Sequence, residues 1–117
     1  AEQRSLVLRC KSGISRIELE KLLYCEVLSR TLVFHLTDGR ILESTGSMDE
    51  LARQLAEYPC FLRPHRSFLV NMEYIRSITA KTLVLTDGAQ IPIPHGRAAD
   101  IKNQYLEYAF SRKQVML

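Results

Sequence analysis

At 117 residues the chain has the length of one domain and can bury a genuine core. Its 46% hydrophobic and 25% charged residues exclude a disordered tail or a fibrous repeat, and no apolar run approaches the roughly 18 residues of a membrane-spanning helix. The net charge of +3 is too small to name a partner by itself, so its placement along the chain has to carry that argument.

The first third reads as strands. Leu6-Val7-Leu8 is a short apolar run; Ile14, Ile17 and Leu19 follow a turn at Ser12-Gly13, and Leu22 to Cys25 resume the apolar character. Ser29-Arg30 interrupts before Thr31–Leu36, where Leu32, Phe34 and Leu36 share one face and Val33 and His35 the other. Asp38-Gly39 predicts a type I′ hairpin into Arg40–Glu43. Ser47 to Glu57 predicts a helix with Ser47 and Glu50 as a capping box and Met48, Leu51, Ala52 and Leu55 as its apolar stripe. Tyr58-Pro59 ends it.

Phe61-Leu62-Arg63-Pro64-His65-Arg66-Ser67-Phe68-Leu69-Val70-Asn71 follows, with two arginines, a histidine and a serine in one proline-broken segment. Pro64 argues against a long helix, so the segment predicts an exposed turn of cationic and hydroxyl donors anchored by Phe68–Val70. Such donors suit phosphates and base edges. Tyr74–Ile78 reads as a strand, and Thr82–Gly88 repeats the hairpin device of Thr31–Gly39 before Ala89–Pro94 returns. Pro92 and Pro94 place that return at a sheet edge. His95 or Gly96 opens a last helix with Ala98, Ile101, Tyr105 and Tyr108 on one side, while Leu106 and Phe110 leave it apolar around much of its circumference.

The charge is one-sided. From Glu18 to Glu57 eight acidic residues face four basic ones, whereas from Cys60 to Asn103 Arg63, Arg66, Arg76, Lys81, Arg97 and Lys102 outweigh Glu73, Asp87 and Asp100. A basic face fits a polyanion, and a solvated surface without a partner is the competing reading. Cys10, Cys25 and Cys60 form no Cys-x-x-Cys pair, so free core thiols in a reducing cytoplasm are expected, with no metal and no cofactor. His35, His65 and His95 are not brought together by any spacing, and no acid is positioned to orient a base, so no enzyme is expected. Ala1 in place of an initiating methionine leads to the expectation of a piece of a longer protein.

The hallmark Phe61-x-Arg63-x-His65-Arg66-Ser67-Phe68-Leu69-Val70-Asn71, followed by Ile75 and Ile78, resembles that of LytTR-type DNA-binding domains, the output domains of a class of bacterial response regulators. Ser29-Arg30 ahead of a strand, the Asp-Gly hairpin, the capped helix and Ile91-Pro92-Ile93-Pro94-His95-Gly96-Arg97 fall in the family's order, so the resemblance covers about residues 6 to 108 of a single domain spanning 1–117. It implies a mostly β fold, an elongated β-β-β arrangement of about ten short strands in small sheets, with one short internal helix and a C-terminal helix. It also implies a mode of action in which loops enter successive major grooves of double-stranded DNA, with paired direct repeats bound by a dimer of the full-length cytoplasmic protein and no membrane contact by this domain.

On that resemblance Arg30 and Arg97 are the base-contact candidates. A bidentate arginine–guanine contact gives ~1–3 kcal/mol of discrimination. Ser29, His65, Arg66, Ser67, Lys81, His95 and Lys102 are candidates for phosphate or minor-groove contact, and for each the competing reading is a solvated surface residue. His65 divides evenly between contacting DNA and holding its loop. Arg63 either positions that turn or pairs with an acid. Asn71 reads as structural, because asparagine tolerates left-handed turns and bonds its own backbone. The family often has Ser-Arg-Arg where His95-Gly96-Arg97 stands, so the serine's role passes to His95 in this reading. A β-rich protein-interaction or ligand-sensing module, docking through the apolar last helix, is the rival from a different class.

Overall fold

The computed structural model describes residues 4–117, so the first three residues of the expected 1–117 domain lie outside the described residues. Among the described residues ten strands form three sheets, all antiparallel. Strands β1 (Ser5–Cys10) and β2 (Gly13–Glu18) make a hairpin. Strands β3 (Leu22–Leu28), β4 (Thr31–Leu36), β5 (Ile41–Thr45), β6 (Phe61–His65) and β7 (Phe68–Asn71) form the central sheet in the order β5-β4-β3-β7-β6. Strands β8 (Ile75–Ile78), β9 (Thr82–Leu85) and β10 (Gln90–Pro92) form the third, in the order β10-β9-β8. Helix α1 is Met48–Gln54 and helix α2 is Ala98–Ser111. The molecule is elongated, 46 × 36 × 25 Å along its principal axes.

The central sheet is covered on both faces. Leu22, Cys25, Phe34 and Leu69 pack with Leu8 and Ile17 of the hairpin and Met48, Leu51 and Leu55 of the α1 segment. Leu23, Tyr24, Leu62 and Val70 pack with Leu83, Leu85 and Ile91 of the third sheet and Ile101 and Tyr108 of α2. That sandwich explains the unbroken apolar run Leu22–Cys25: the strand is buried on both sides, and the register shift between Leu22 and Tyr24 puts Leu23 and Tyr24 together in the second core while Leu22 and Cys25 enter the first.

Several local expectations are corrected. Asp38-Gly39 is not a type I′ turn, since only Gly39 has a positive φ, +89°. The Gly39 N–H donates to the Leu36 carbonyl and the Leu36 N–H to the Arg40 carbonyl, which is the longer hairpin loop with glycine in the left-handed position. Leu85, Gly88 and Ala89 repeat the pattern, and Asp38 and Asp87 each accept a backbone N–H two residues on, from Arg40 and Ala89. Helix α1 stops at Gln54 rather than Glu57, and its capping box is half made. Ser47 Oγ accepts from the Glu50 N–H, but the Glu50 carboxylate turns to Arg53 and Gln54 instead of reaching back. Neither His95 nor Gly96 caps α2. The cap is Arg97, which makes no side-chain capping bond. The exposed turn expected within Phe61–Asn71 is confined to Arg66-Ser67, between two strands, and Pro64 is fully buried where the β6–β7 register shifts. A bulge is where a strand tolerates a missing N–H. Along α2, Leu106 is half-buried and Phe110 is exposed.

Candidate nucleic-acid interface

One end of the central sheet gathers cations from separate parts of the chain. Ser29 and Arg30 form the tight turn between β3 and β4, closed by the Leu28–Thr31 pair, with Ser29 at φ 57°. A non-glycine residue in this left-handed region is uncommon, and it projects the exposed Arg30 beyond the end of the sheet. The Arg30 carbonyl accepts from the Gly46 N–H at 3.1 Å, which fixes the turn from the β5 side.

The β6–β7 turn lies on the other side. The Val27 N–H donates to the Ser67 carbonyl at 3.0 Å, joining the turn to β3. The Ser67 N–H donates to His65 Nδ1 at 3.0 Å, and the His65 ring meets Phe68 edge-on at a centroid distance of 5.5 Å. That ring nitrogen therefore accepts, and His65 is built into the turn. Arg66 is left exposed at the tip. Beneath it Arg63 donates to the Arg66 carbonyl at 2.9 Å and pairs with Asp49 at 2.6 Å, so one guanidinium spans the turn and the first turn of α1. Ser29, Arg30, Arg63, Arg66 and Ser67 line a shallow groove of about 360 Å³ with Gly46, Ser47 and Asp49. Gly46 and Asp49 were not singled out by the sequence, and only pairing across the sheet brings them here.

Asn71 lies at the opposite end of the central sheet, where β7 ends beside the start of β3. It is buried, its Nδ2 donates to the Leu22 carbonyl at 3.0 Å, and its Oδ1 accepts from the Glu73 N–H at 3.0 Å. Its backbone is extended, φ −88° and ψ 115°, and not left-handed. The side chain thus caps the following 3₁₀ turn, Met72–Tyr74, and ties it to β3.

The remaining candidates collect at one end of the third sheet. The Lys81 carbonyl accepts from the Ile93 N–H at 2.9 Å, which sets the exposed Lys81 beside the segment leading to His95 and Arg97. His95 is exposed, and Arg97 at the start of α2 lies 3.3 Å from Asp100, an exposed pair with little cohesive energy. Lys102 stands one turn further along α2, over a groove with Ile75, Arg76, Ile78 and Tyr105. The three histidines stay apart: His35 stacks on Tyr24 at 4.2 Å, within 3.2 Å of Glu26 and away from both cation clusters.

Exposed arginines, lysines and a serine carried on turns braced by main-chain hydrogen bonds are the equipment of a protein that grips a polyanion. Comparison with known proteins supplies the class. Residues 12–106 match the LytTr DNA-binding domain family, LytTR, and the chain belongs to that family. It is 40% identical over 75 residues, 60% of its length, to the sensory transduction protein LytT of Oceanobacillus iheyensis, and the match spans 30% of that longer protein. The fold superposes on a LytTr DNA-binding domain from Bacillus cereus with a TM-score of 0.69 at 22% identity, covering 91% of this chain and 98% of the other. The expected family and the mostly β, ten-stranded architecture are both met.

Proposed function

We propose that this domain binds double-stranded DNA sequence-specifically as the output domain of a two-component-type transcription regulator, and that it acts without chemistry, metal or cofactor. In this reading Arg30 enters one major groove from the β3–β4 turn and Arg97 a second from the start of α2. Ser29, Arg66 and Ser67 hold the intervening sugar–phosphate, with Lys81, His95 and Lys102 on the backbone beside Arg97. His65 acts through the shape of its turn. The observation that carries the reading is the Val27–Ser67 hydrogen bond, which locks the two turns bearing Arg30 and Arg66 side by side. Preorganised donors lose little entropy on binding, and arginine can read guanine bidentately.

The match to less than a third of LytT supports a domain, 1–117, that is one piece of a longer cytoplasmic regulator. Its receiver would control pairing on two direct repeats. Two linked copies would bind more tightly than one because the second contact becomes intramolecular. Selection of bound sequences from a random DNA pool with the purified domain tests the reading. A defined motif is expected, bound with a log–log salt slope near −4 to −5 for roughly five neutralised phosphates. No enrichment, together with no binding to any duplex at low salt, favours a protein-interaction or ligand-sensing module instead.

A further inference from the structure

The β1–β2 hairpin carries charge that the reading above does not use. Between Arg4 and Arg16 the chain has four cations, Arg4, Arg9, Lys11 and Arg16, and no acidic residue. Arg9, Lys11 and Arg16 are exposed and enter none of the ion pairs found among the described residues. The inner face of the hairpin, Leu6, Leu8 and Ile17, is committed to the core, so Arg9 and Arg16 stand on the outer face. Lys11 lies in the two-residue turn itself, before Gly13 at φ +133°.

Topology decides which way this hairpin points. Its base is tied to the far end of the central sheet: the Leu19 N–H donates to the Arg4 carbonyl, and the Thr37 N–H, in the β4–β5 loop, to the Lys21 carbonyl. Its tip lies at the near end, where Ser44 Oγ donates to the Arg9 carbonyl at 2.9 Å. Ser44 is two residues from Gly46, whose N–H holds the Arg30 carbonyl. The hairpin tip therefore emerges at the same end of the molecule as the Ser29-Arg30 and Arg66-Ser67 turns, beside β5. Strands lie about 4.8 Å apart, so the five strands from β5 through β4, β3 and β7 to β6 make a row on the order of 20 Å wide, with the hairpin tip over its β5 end. A major groove is only about 12 Å wide, so the outer members of that row fall over flanking backbone.

Resting on the DNA-binding reading, we propose that the β1–β2 hairpin is a phosphate clamp: Arg9 and Lys11 at its tip, with Arg16 behind them, bind the sugar–phosphate backbone flanking the groove that Arg30 enters. The clamp carries no sequence information. It adds affinity and fixes the orientation of the domain on the duplex, and it lengthens the protected site on the Arg30 side only.

The test titrates the selected operator with the wild-type chain and with the Arg9→Gln/Lys11→Gln double variant over a range of salt. Both positions are exposed, and circular dichroism checks that the variant folds. Two lost contacts at about 0.9 each make the salt slope shallower by about 1.8, with the two affinities converging towards 1 M salt. The selected motif stays the same, and the footprint shortens on one side. Uncharged methylphosphonate linkages on that flank weaken the wild type and leave the double variant unchanged, while Ser12→Lys steepens the wild-type slope. An unchanged slope and footprint in the double variant, with wild-type binding intact, overturn the clamp and leave the DNA-binding reading standing. Failure of the wild type to bind any duplex at low salt removes the reading itself.

Discussion

The backbone N–H of Val27 donates to the carbonyl of Ser67 at 3.0 Å, so the turns that present Arg30 and Arg66 behave as one unit. The bond is made by main-chain groups and is indifferent to side-chain substitution at either turn. Changes at Arg30, Arg66 or Ser67 therefore test contact with DNA and leave the geometry in place.

Arg30→Ala is expected to relax base preference at one operator position, with a loss of ~1–3 kcal/mol against the preferred base. Arg66→Ala should weaken preferred and unrelated sequences alike and reduce the salt slope by about 1. Binding isotherms on single-position operator variants separate the two outcomes. Relaxed base preference in Arg66→Ala, with uniform weakening in Arg30→Ala, would reverse the assigned roles.

Arg63→Ala removes the donor to the Arg66 carbonyl and the partner of Asp49 in one step. The pair is partly exposed, so urea denaturation should register less than ~1 kcal/mol. DNA affinity should fall by more than that, because the turn is no longer preorganised. Arg63→Lys is expected not to rescue binding, since one ammonium cannot reproduce the two-armed fork. A full rescue by lysine would mean that charge alone matters here.

Asn71→Ala leaves the buried Leu22 carbonyl without this donor and the Glu73 N–H without its cap. An unpaired buried carbonyl costs about 1–3 kcal/mol and a lost cap about 1 kcal/mol, so a stability loss of about 2–4 kcal/mol is expected in urea unfolding. A loss below 1 kcal/mol would show that water replaces both bonds.

Burial pushes the Cys25 thiol up to about 12, with Glu26 adding to the rise, and burial likewise pushes the Tyr24 hydroxyl up to about 12. Both groups are neutral in the folded state at pH values where the unfolded chain ionises. Stability is therefore fully present below about pH 9, where neither state has lost these protons, and it declines as pH rises towards 12. Cys25 alone contributes a slope of at most about 1.4 kcal/mol per pH unit in that window. Urea midpoints measured from pH 8 to 11 check this. The decline should be shallower in Cys25→Ala, and the native Cys25 thiol should resist labelling at pH 8 until the protein unfolds.

Local patterns in the chain determined a great deal. The alternation Leu32, Phe34, Leu36 marked a core face of β4, Pro92 marked an edge strand, and Ser47 marked the start of α1; each depends on interactions within a few residues. The hallmark segment identified the family because its residue types are fixed together. Boundaries and turn types were less legible. Whether Asp38-Gly39 closes as two residues or three depends on the twist of the strands it joins, and α1 ends where Leu55 must turn into the core.

Spatial neighbourhood was decided by tertiary structure alone. Arg63 lies fourteen residues from Asp49 in the chain, and Val27 forty from Ser67, yet each pair is in contact. The hairpin of residues 5–18 read as an ordinary pair of strands until Ser44 placed its tip beside the Arg30 turn. Short-range periodicity encodes which face of a strand is buried, because side chains alternate along it. Which strands lie side by side is set by the closure of two cores on opposite faces of one sheet, and that depends on every element at once.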